Sequence, residues 1–410
     1  MATVNKNFLK LNGGYLFPEI ARRTKAWQER HPGVSIMRLG IGNTTEALSP
    51  AVCAAMKQKI DKLSSRETYS GYGDEQGDTY LRDALVTYYK EHWKVELRNT
   101  EFFISDGAKS DAANIQQLFG EDAVVAVQDP SYPVYVDSNV IAGRTGSYDE
   151  TDFCYQGFVY LKSDLSNGFV PAPPKEKVDL IYLCSPNNPT GAVASREQLK
   201  VFVDYALANK SVIIFDSAYS EYITESKYPH SIFEIEGSRK CAIELSSFSK
   251  FAGFTGVRLG WTIIPHELEC EGTEEGMLNR MWNRRQCTFF NGASNIAQAG
   301  GAASLSGEGY KECRALVGYY QRNAKVIKEG LESVGLSCYG GINSPYVWAQ
   351  TPSGLTSWEF FDLLLDKCHV VVTPGSGFGP SGEHYVRVSS YGHFEDVVSA
   401  MESIRRNLVI

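Results

Sequence analysis

A lysine set among hydroxyls, glycines and an arginine is the first feature of this chain with chemistry in it. Ser247-Phe248-Ser249-Lys250 is followed by Gly253, Gly256 and Arg258-Leu259-Gly260. Taken alone, one lysine after a strand reads as a solvated surface residue. Its neighbours change that reading. Two hydroxyls and a guanidinium make a dense anion-binding set, and the small residues let the backbone approach closely. A phosphate there could take hydrogen bonds from Ser247, Ser249 and the planar fork of Arg258. The lysine is then left for covalent work, because an amine held beside a cationic group gives up its proton more easily.

Four more segments carry groups of interest. Ser105-Asp106-Gly107-Ala108-Lys109-Ser110 is a small-residue turn between a strand, Phe102–Ile104, and a helix. Such a turn offers free backbone N–H groups to an anion, although an ordinary helix cap looks the same. Arg387 lies inside the alternating strand Tyr385-Val386-Arg387-Val388-Ser389. A buried arginine is costly unless paired, either by a structural salt bridge or by a carboxylate ligand. Asp216 closes the apolar run Val212–Phe215, and Ser185-Pro186-Asn187-Asn188-Pro189-Thr190-Gly191 closes Val178–Cys184. Both are good turn sequences without any further role. The seven histidines are scattered and none pair at helical metal spacing, so no metal site is expected.

These groups need elements to hold them. Short apolar runs at Ala123–Gln128, Val178–Cys184, Val212–Asp216 and Cys241–Ser246 read as strands covered on both faces. Helical stretches lie between them, including Ser110–Leu118 and Arg196–Ala208. Strand–helix alternation predicts an α/β fold with a mostly parallel sheet flanked by helices, and ligands at the carboxyl ends of its strands. From about residue 305 the pattern changes. A helix at Leu316–Val334, placed to end at Gly335, is followed by short strands at Tyr346–Gln350, His369–Thr373 and Tyr385–Ser389 and a last helix. The expected division is an N-terminal arm with part of a small domain (1–45), a large domain (46–304) and a small α+β domain (305–410).

Composition excludes several classes. The chain has 410 residues, 43% hydrophobic and 21% charged, which is a globular profile with a large core. Its net charge of −8 disfavours nucleic acid and anionic membranes as partners. No apolar stretch has signal-peptide or membrane-span length. Nine cysteines are scattered with no CxxC pair, which points to a reducing compartment. A cytoplasmic protein is expected, and a plastid protein whose transit peptide had been removed would look the same.

The stretch Ser247–Gly260, with Lys250 at its fourth position, resembles the lysine signature of class I aminotransferases, enzymes of fold type I that use pyridoxal 5'-phosphate (PLP). The other motifs fall in the family's order and spacing. The resemblance implies that Lys250 is the catalytic lysine, which forms the Schiff base and shuttles the proton. It implies that Asp216, 34 residues earlier, faces the pyridine nitrogen. Asn188 and Tyr219 would meet the cofactor's phenolic oxygen, with Asn187 the candidate if the register slips by one. Ala108 and Lys109, together with Ser247, Ser249 and Arg258, would hold the phosphate. Tyr132, in Asp129-Pro130-Ser131-Tyr132-Pro133, would lie against the ring face. Arg387 would bind the substrate α-carboxylate. Tyr72, in Gly71-Tyr72-Gly73, would reach the phosphate of the neighbouring subunit's cofactor, so a homodimer with shared active sites is expected.

Within that family the chain is most similar to LL-diaminopimelate aminotransferases. The similarity runs from Asn12-Gly13-Gly14-Tyr15-Leu16-Phe17 through Leu39–Thr45, Gly71–Gly77 and Phe290–Ser294 to Arg387. Gly40 and Asn43 depart from the serine and aspartate frequent there. The resemblance implies small-molecule substrates: LL-diaminopimelate with 2-oxoglutarate, and tetrahydrodipicolinate with glutamate. It implies substrate contacts from Tyr15, Gly42, Tyr72, Glu75, Lys109, Tyr132, Asn188, Asn291 and Arg387. Glu75 suits the far-end ammonium of diaminopimelate, and Lys109, Tyr15 and Asn291 suit its far-end carboxylate. An aminotransferase for another amino acid would leave Glu75 and Lys109 unpaired. A PLP lyase of the aminocyclopropane-carboxylate synthase type shares the lysine signature and differs in its product. A transcription regulator with an aminotransferase-like domain would add a basic DNA-binding domain, which the acidic chain lacks.

Overall fold

The structure, a computed structural model, describes residues 1–11 and 16–409. Strand β1 (Met37–Arg38) is followed by β2 (Phe102–Ser105) and β3 (Val125–Asp129). A small ladder of β4 (Tyr148–Asp149) and β5 (Cys154–Tyr155) precedes β6 (Phe158–Lys162), β7 (Leu180–Cys184), β8 (Val212–Asp216), β9 (Ala242–Ser247) and β10 (Gly260–Ile263). Seven of these form one sheet in the order β2-β10-β9-β8-β7-β3-β6. Strands β6, β3, β7, β8 and β9 run parallel, and β10 is antiparallel to both of its neighbours. The central strands are buried at every position, as two helical layers require. The mostly parallel α/β sheet expected from the sequence is therefore present.

A second sheet follows, from β11 (Cys338–Gly340), β12 (Tyr346–Gln350), β14 (Thr373–Pro374) and β15 (Tyr385–Ser389), antiparallel in the order β11-β12-β15-β14. Just before β14, β13 (Val370–Val371) pairs in parallel with β1 as a separate two-stranded sheet, and Ser389 N–H of β15 donates to Leu39 O at 2.7 Å, which brings the segment after β1 to this sheet. Two hydrophobic clusters correspond to the two sheets. The first packs around the large sheet. The second joins Leu16, Ile20 and Trp27 of helix Leu16–Arg30 to Val347, Trp348, Phe360 and Val388. The 26-residue helix Gly307–Glu332 enters both, with Cys313 and Val317 in the first and Ile327 and Leu331 in the second.

That helix starts nine residues before the expected Leu316. Gly307, Gly309 and Gly318 weaken its helical signal. Gly309 is required all the same, because a Cβ there would run into the backbone carbonyl of Ala303 in the preceding helix. The helix stops as expected: Gly335 takes a left-handed φ of +89°, and Leu336 N–H donates to Leu331 C=O at 3.2 Å. Strands β8, β12 and β15 have the bounds read from the sequence. Strands β6 and β10 were not anticipated; β10 begins at Gly260, the last residue of the lysine segment.

Candidate active site

The carboxyl ends of β7, β8 and β9 deliver Asn188, Asp216 and Lys250 to one cavity of about 720 Å³, lying between the two sheets. Its size suits a cofactor together with a small substrate. Of the residues singled out in the sequence, Gly42, Ala108, Lys109, Tyr132, Asn188, Asp216, Tyr219, Ser247, Ser249, Lys250, Arg258 and Arg387 all line it.

Lys250 sits in the one-turn helix Phe248–Phe251, which Ser247 caps through its side chain. Its Nζ donates to the Gly42 carbonyl and lies 5.1 Å from the centre of the Tyr391 ring. Burial first, then the Arg387 and Arg258 cations, bring its pKa down to about 7. The amine is thus partly neutral near physiological pH, as a nucleophile or proton acceptor must be.

The anion cradle lies one turn away. Ser247 Oγ donates to Ser249 Oγ at 2.9 Å, and Arg258 Nη1 donates to Ser249 Oγ at 3.2 Å. Arg258 takes a left-handed φ of +67°, which folds its side chain back over the Ser249 turn. The start of helix Ala108–Asn114 faces the same space. Gly107 and Gly260 bring the two walls together. A Cβ on Gly260 would stand 2.7 Å from Gly107 Cα and 2.9 Å from Ala108 N, and one on Gly107 would strike the Arg258 guanidinium. Hydroxyls, a guanidinium and helix-start N–H groups converge on a space that only glycines leave open, which fits a phosphate group.

On the opposite wall, Asp216 is buried and its pKa is raised by desolvation, against hydrogen bonds from Tyr135 and the Ala218 N–H. Tyr219 shares a 2.8 Å hydrogen bond with the Tyr346 hydroxyl. Asn188 Oδ1 accepts from Arg387 Nη1 at 2.7 Å. Asn187, the alternative by register, turns its amide to Pro130 O and Thr190 Oγ1 and does not line the cavity.

Arg387 is 1% exposed. Its Nη2 donates to Gly40 O at 2.7 Å and to Thr373 Oγ1 at 3.4 Å, and its face packs on Tyr346. Among the described residues no carboxylate lies within salt-bridge distance of it, and its Nε has no partner. A buried guanidinium met only by neutral acceptors is poised for an anionic ligand. Among the described residues the lining is cationic: Arg38, Lys109, Arg258 and Arg387, with the partly neutral Lys250, face a single carboxylate, Asp216.

Three expected residues lie elsewhere. Tyr72 is exposed on the loop before helix Thr79–Tyr88, Glu75 is half-buried nearby, and Asn291 is exposed. None lines the cavity of its own chain. Tyr15 lies outside the described residues. The sequence reading passed over Tyr135, Tyr346, Tyr391, Thr255 and Phe17 as lining residues. Tyr346 and Tyr391 could have been suspected from their closeness to Arg387: β12 pairs with β15, and Tyr391 follows that strand.

Comparison with known proteins gives the family. An LL-diaminopimelate aminotransferase of Agathobacter rectalis is 51% identical over 405 residues, covering 99% of this chain and all of that one. The solved L,L-diaminopimelate aminotransferase from Chlamydomonas reinhardtii is 47% identical, with a TM-score of 0.93, over 99% of this chain and 98% of that one. A substrate-bound BacF structure from Bacillus subtilis is 25% identical, with a TM-score of 0.84, over 99% and 98%. The family model for aminotransferases of class I and II matches residues 34–404, nearly the whole described chain, and the chain belongs to that family.

Proposed function

We propose that this aminotransferase moves the amino group of LL-2,6-diaminopimelate to 2-oxoglutarate, interconverting that pair with tetrahydrodipicolinate and glutamate. The observation that carries amino transfer is Lys250, an amine near pKa 7 in a cavity that also holds a buried arginine without a carboxylate partner. The choice of substrate is supported by two full-length relatives named for it, at 51% and 47% identity.

The family's cofactor is pyridoxal 5'-phosphate, and the donor set fits it. Ser247, Ser249, Arg258 and the backbone of Ala108 and Lys109 would hold its phosphate. Asp216 would face the ring nitrogen, Asn188 and Tyr219 the phenolic oxygen, Tyr132 the ring face, and Lys250 the aldehyde carbon. When bound, the cofactor supplies the electron sink that stabilises a carbanion at the substrate Cα.

The chain's own residues do the rest. Arg387 holds the α-carboxylate in its fork and so fixes the Cα relative to Lys250. Lys250 Nζ takes the Cα proton from the donor and returns a proton to the Cα of the acceptor in the second half. Asp216 would favour a proton on the cofactor's ring nitrogen. Gly42 lines the substrate side, where a side chain would meet the Tyr346 hydroxyl and the Lys250 amine. The far end of diaminopimelate would be read by Glu75 for its ammonium and by Lys109, Tyr15 and Asn291 for its carboxylate. Tyr72, Glu75 and Asn291 would come from the second subunit of a homodimer. The division into residues 1–45, 46–304 and 305–410 is proposed alongside, and nine free cysteines support a cytoplasmic location. Among the described residues no helix is long and apolar enough to cross a membrane.

A keto-acid-coupled assay over a panel of amino donors tests the reading. LL-diaminopimelate is expected to be the best donor to 2-oxoglutarate, with lysine, aspartate and aromatic amino acids at least about a hundredfold poorer. Lys250→Ala should abolish turnover. A better donor without a far-end ammonium and carboxylate would overturn the substrate.

A further inference from the structure

Behind Asp216 stands a residue that the proposed chemistry has not yet used. The buried Tyr135 donates its hydroxyl hydrogen to Asp216 Oδ2 at 2.7 Å, while Oδ1 accepts from the Ala218 N–H at 3.0 Å. The phenol is tightly placed. Its ring stacks on Tyr182 with centroids 5.2 Å apart and planes 23° apart. Asn139 Nδ2 donates both to the Tyr135 carbonyl, at 2.8 Å, and to the Tyr182 hydroxyl, at 3.4 Å. Two titratable groups beside the phenol, the Cys184 thiol and the Tyr182 hydroxyl, are both pushed up by burial and stay neutral, and the Tyr132 ring meets it edge-on at 6.0 Å. Asp216 therefore depends on two donors to remain a carboxylate in a desolvated wall, and Tyr135 is the one supplied by a side chain.

We propose that Tyr135 is a positioning residue: its hydroxyl holds Asp216 as an aimed carboxylate, so that the proton the two share rests on the ring nitrogen of the cofactor and not on Asp216. The inference rests on the reading of Asp216 given above. The physics is that of a shared proton, which sits on the stronger base. A hydrogen bond to the carboxylate stabilises its charge and makes it the weaker base of the pair. Without that bond the proton moves toward Asp216, and the ring loses much of its power to withdraw electrons.

The test is the 15N resonance of the ring nitrogen in protein loaded with 15N-labelled pyridoxal phosphate. Wild type is expected in the protonated range at neutral pH. Tyr135→Phe, which keeps the stacked ring, should move the resonance toward the unprotonated range and lower kcat about 10- to 100-fold with the donor KM little changed. Tyr182→Phe removes a hydroxyl from the same stack without touching Asp216 and should leave the resonance in place. In the apoprotein Tyr135→Phe should raise the pH at which Asp216 titrates, read from its carboxyl 13C resonance, which covers a variant that holds the cofactor poorly. If Tyr135→Phe leaves both resonances as in wild type while Asp216→Ala shifts the nitrogen, the role of Tyr135 is overturned and that of Asp216 stands. If Asp216→Ala also leaves the nitrogen protonated, the reading of Asp216 falls and the inference with it.

Discussion

Lys250 shows how a common side chain is made unusual by its surroundings. Burial and two neighbouring guanidiniums favour loss of its proton, with the pKa brought to about 7. An unfolded lysine titrates near 10.4. Between those values the unfolded chain carries a proton that the folded chain has released, so the apoprotein gains stability from this group as pH rises from about 7 to 10. Lys250→Met should remove that slope in melts of the apoprotein. Capture of pyridoxal phosphate by the apoprotein should accelerate with pH and level off above about 7, because only the neutral amine attacks an aldehyde. Arg387→Gln removes a nearby positive charge, and the levelling should then move to higher pH. Stopped-flow absorbance across pH reads it, and an unmoved profile would mean that Arg387 does not contribute and that burial and Arg258 set the amine.

At the scale of elements, the cradle depends on how closely β10 approaches the start of helix Ala108–Asn114. Gly260 opens β10, and a Cβ there would meet only backbone: Gly107 Cα, Ser246 O at 2.8 Å and Ala108 N. Backbone does not yield as a side chain does, so Gly260→Ala must separate the two walls that face the phosphate. Overpacking of this kind costs ~1–3 kcal/mol. Equilibrium dialysis of pyridoxal phosphate should show binding weakened at least tenfold, and unchanged affinity would place the phosphate elsewhere. The same region shows what the sequence could and could not convey. Strands β8 and β15 were legible because an apolar run ended in a turn residue or enclosed one arginine. Strand β10 was not, because its four residues make a short run that opens on a glycine and does not stand out after the lysine segment. Tyr135, Tyr346 and Tyr391 were harder to read for another reason. A tyrosine in an apolar segment reads as core, and only the packing of two sheets brings these three around Lys250, Asp216 and Arg387.

For the whole molecule, an acidic chain of net charge −8 encloses a cavity whose described lining holds four cations, the partly neutral Lys250 and one carboxylate. Such a cavity draws in dicarboxylic and keto-acid substrates, which the overall charge would repel. Three residues of the proposed ligand set do not line that cavity in their own chain. Tyr72 is 87% exposed and does not line its own cavity, and neither do Glu75 and Asn291. Gly292 lets two of these segments lie close together: a Cβ on it would stand 3.0 Å from Asp74 O, so the loops bearing Glu75 and Asn291 are neighbours. An exposed tyrosine beside a charged loop suits a surface that a second copy covers, with both loops delivered to the other copy's cavity. Mixing decides this. A Lys250→Ala chain and a chain carrying Tyr72→Phe with Glu75→Ala should each be inactive or nearly so. In a heterodimer of the two, one site combines an intact Lys250 with an intact Tyr72 and Glu75 from across the interface, while the other site lacks all three. Up to about half of wild-type activity per dimer should return, since one of two sites is whole. Activity that stays at the level of the separate variants, in a heterodimer verified by mass, would place Tyr72 and Glu75 in the service of their own chain.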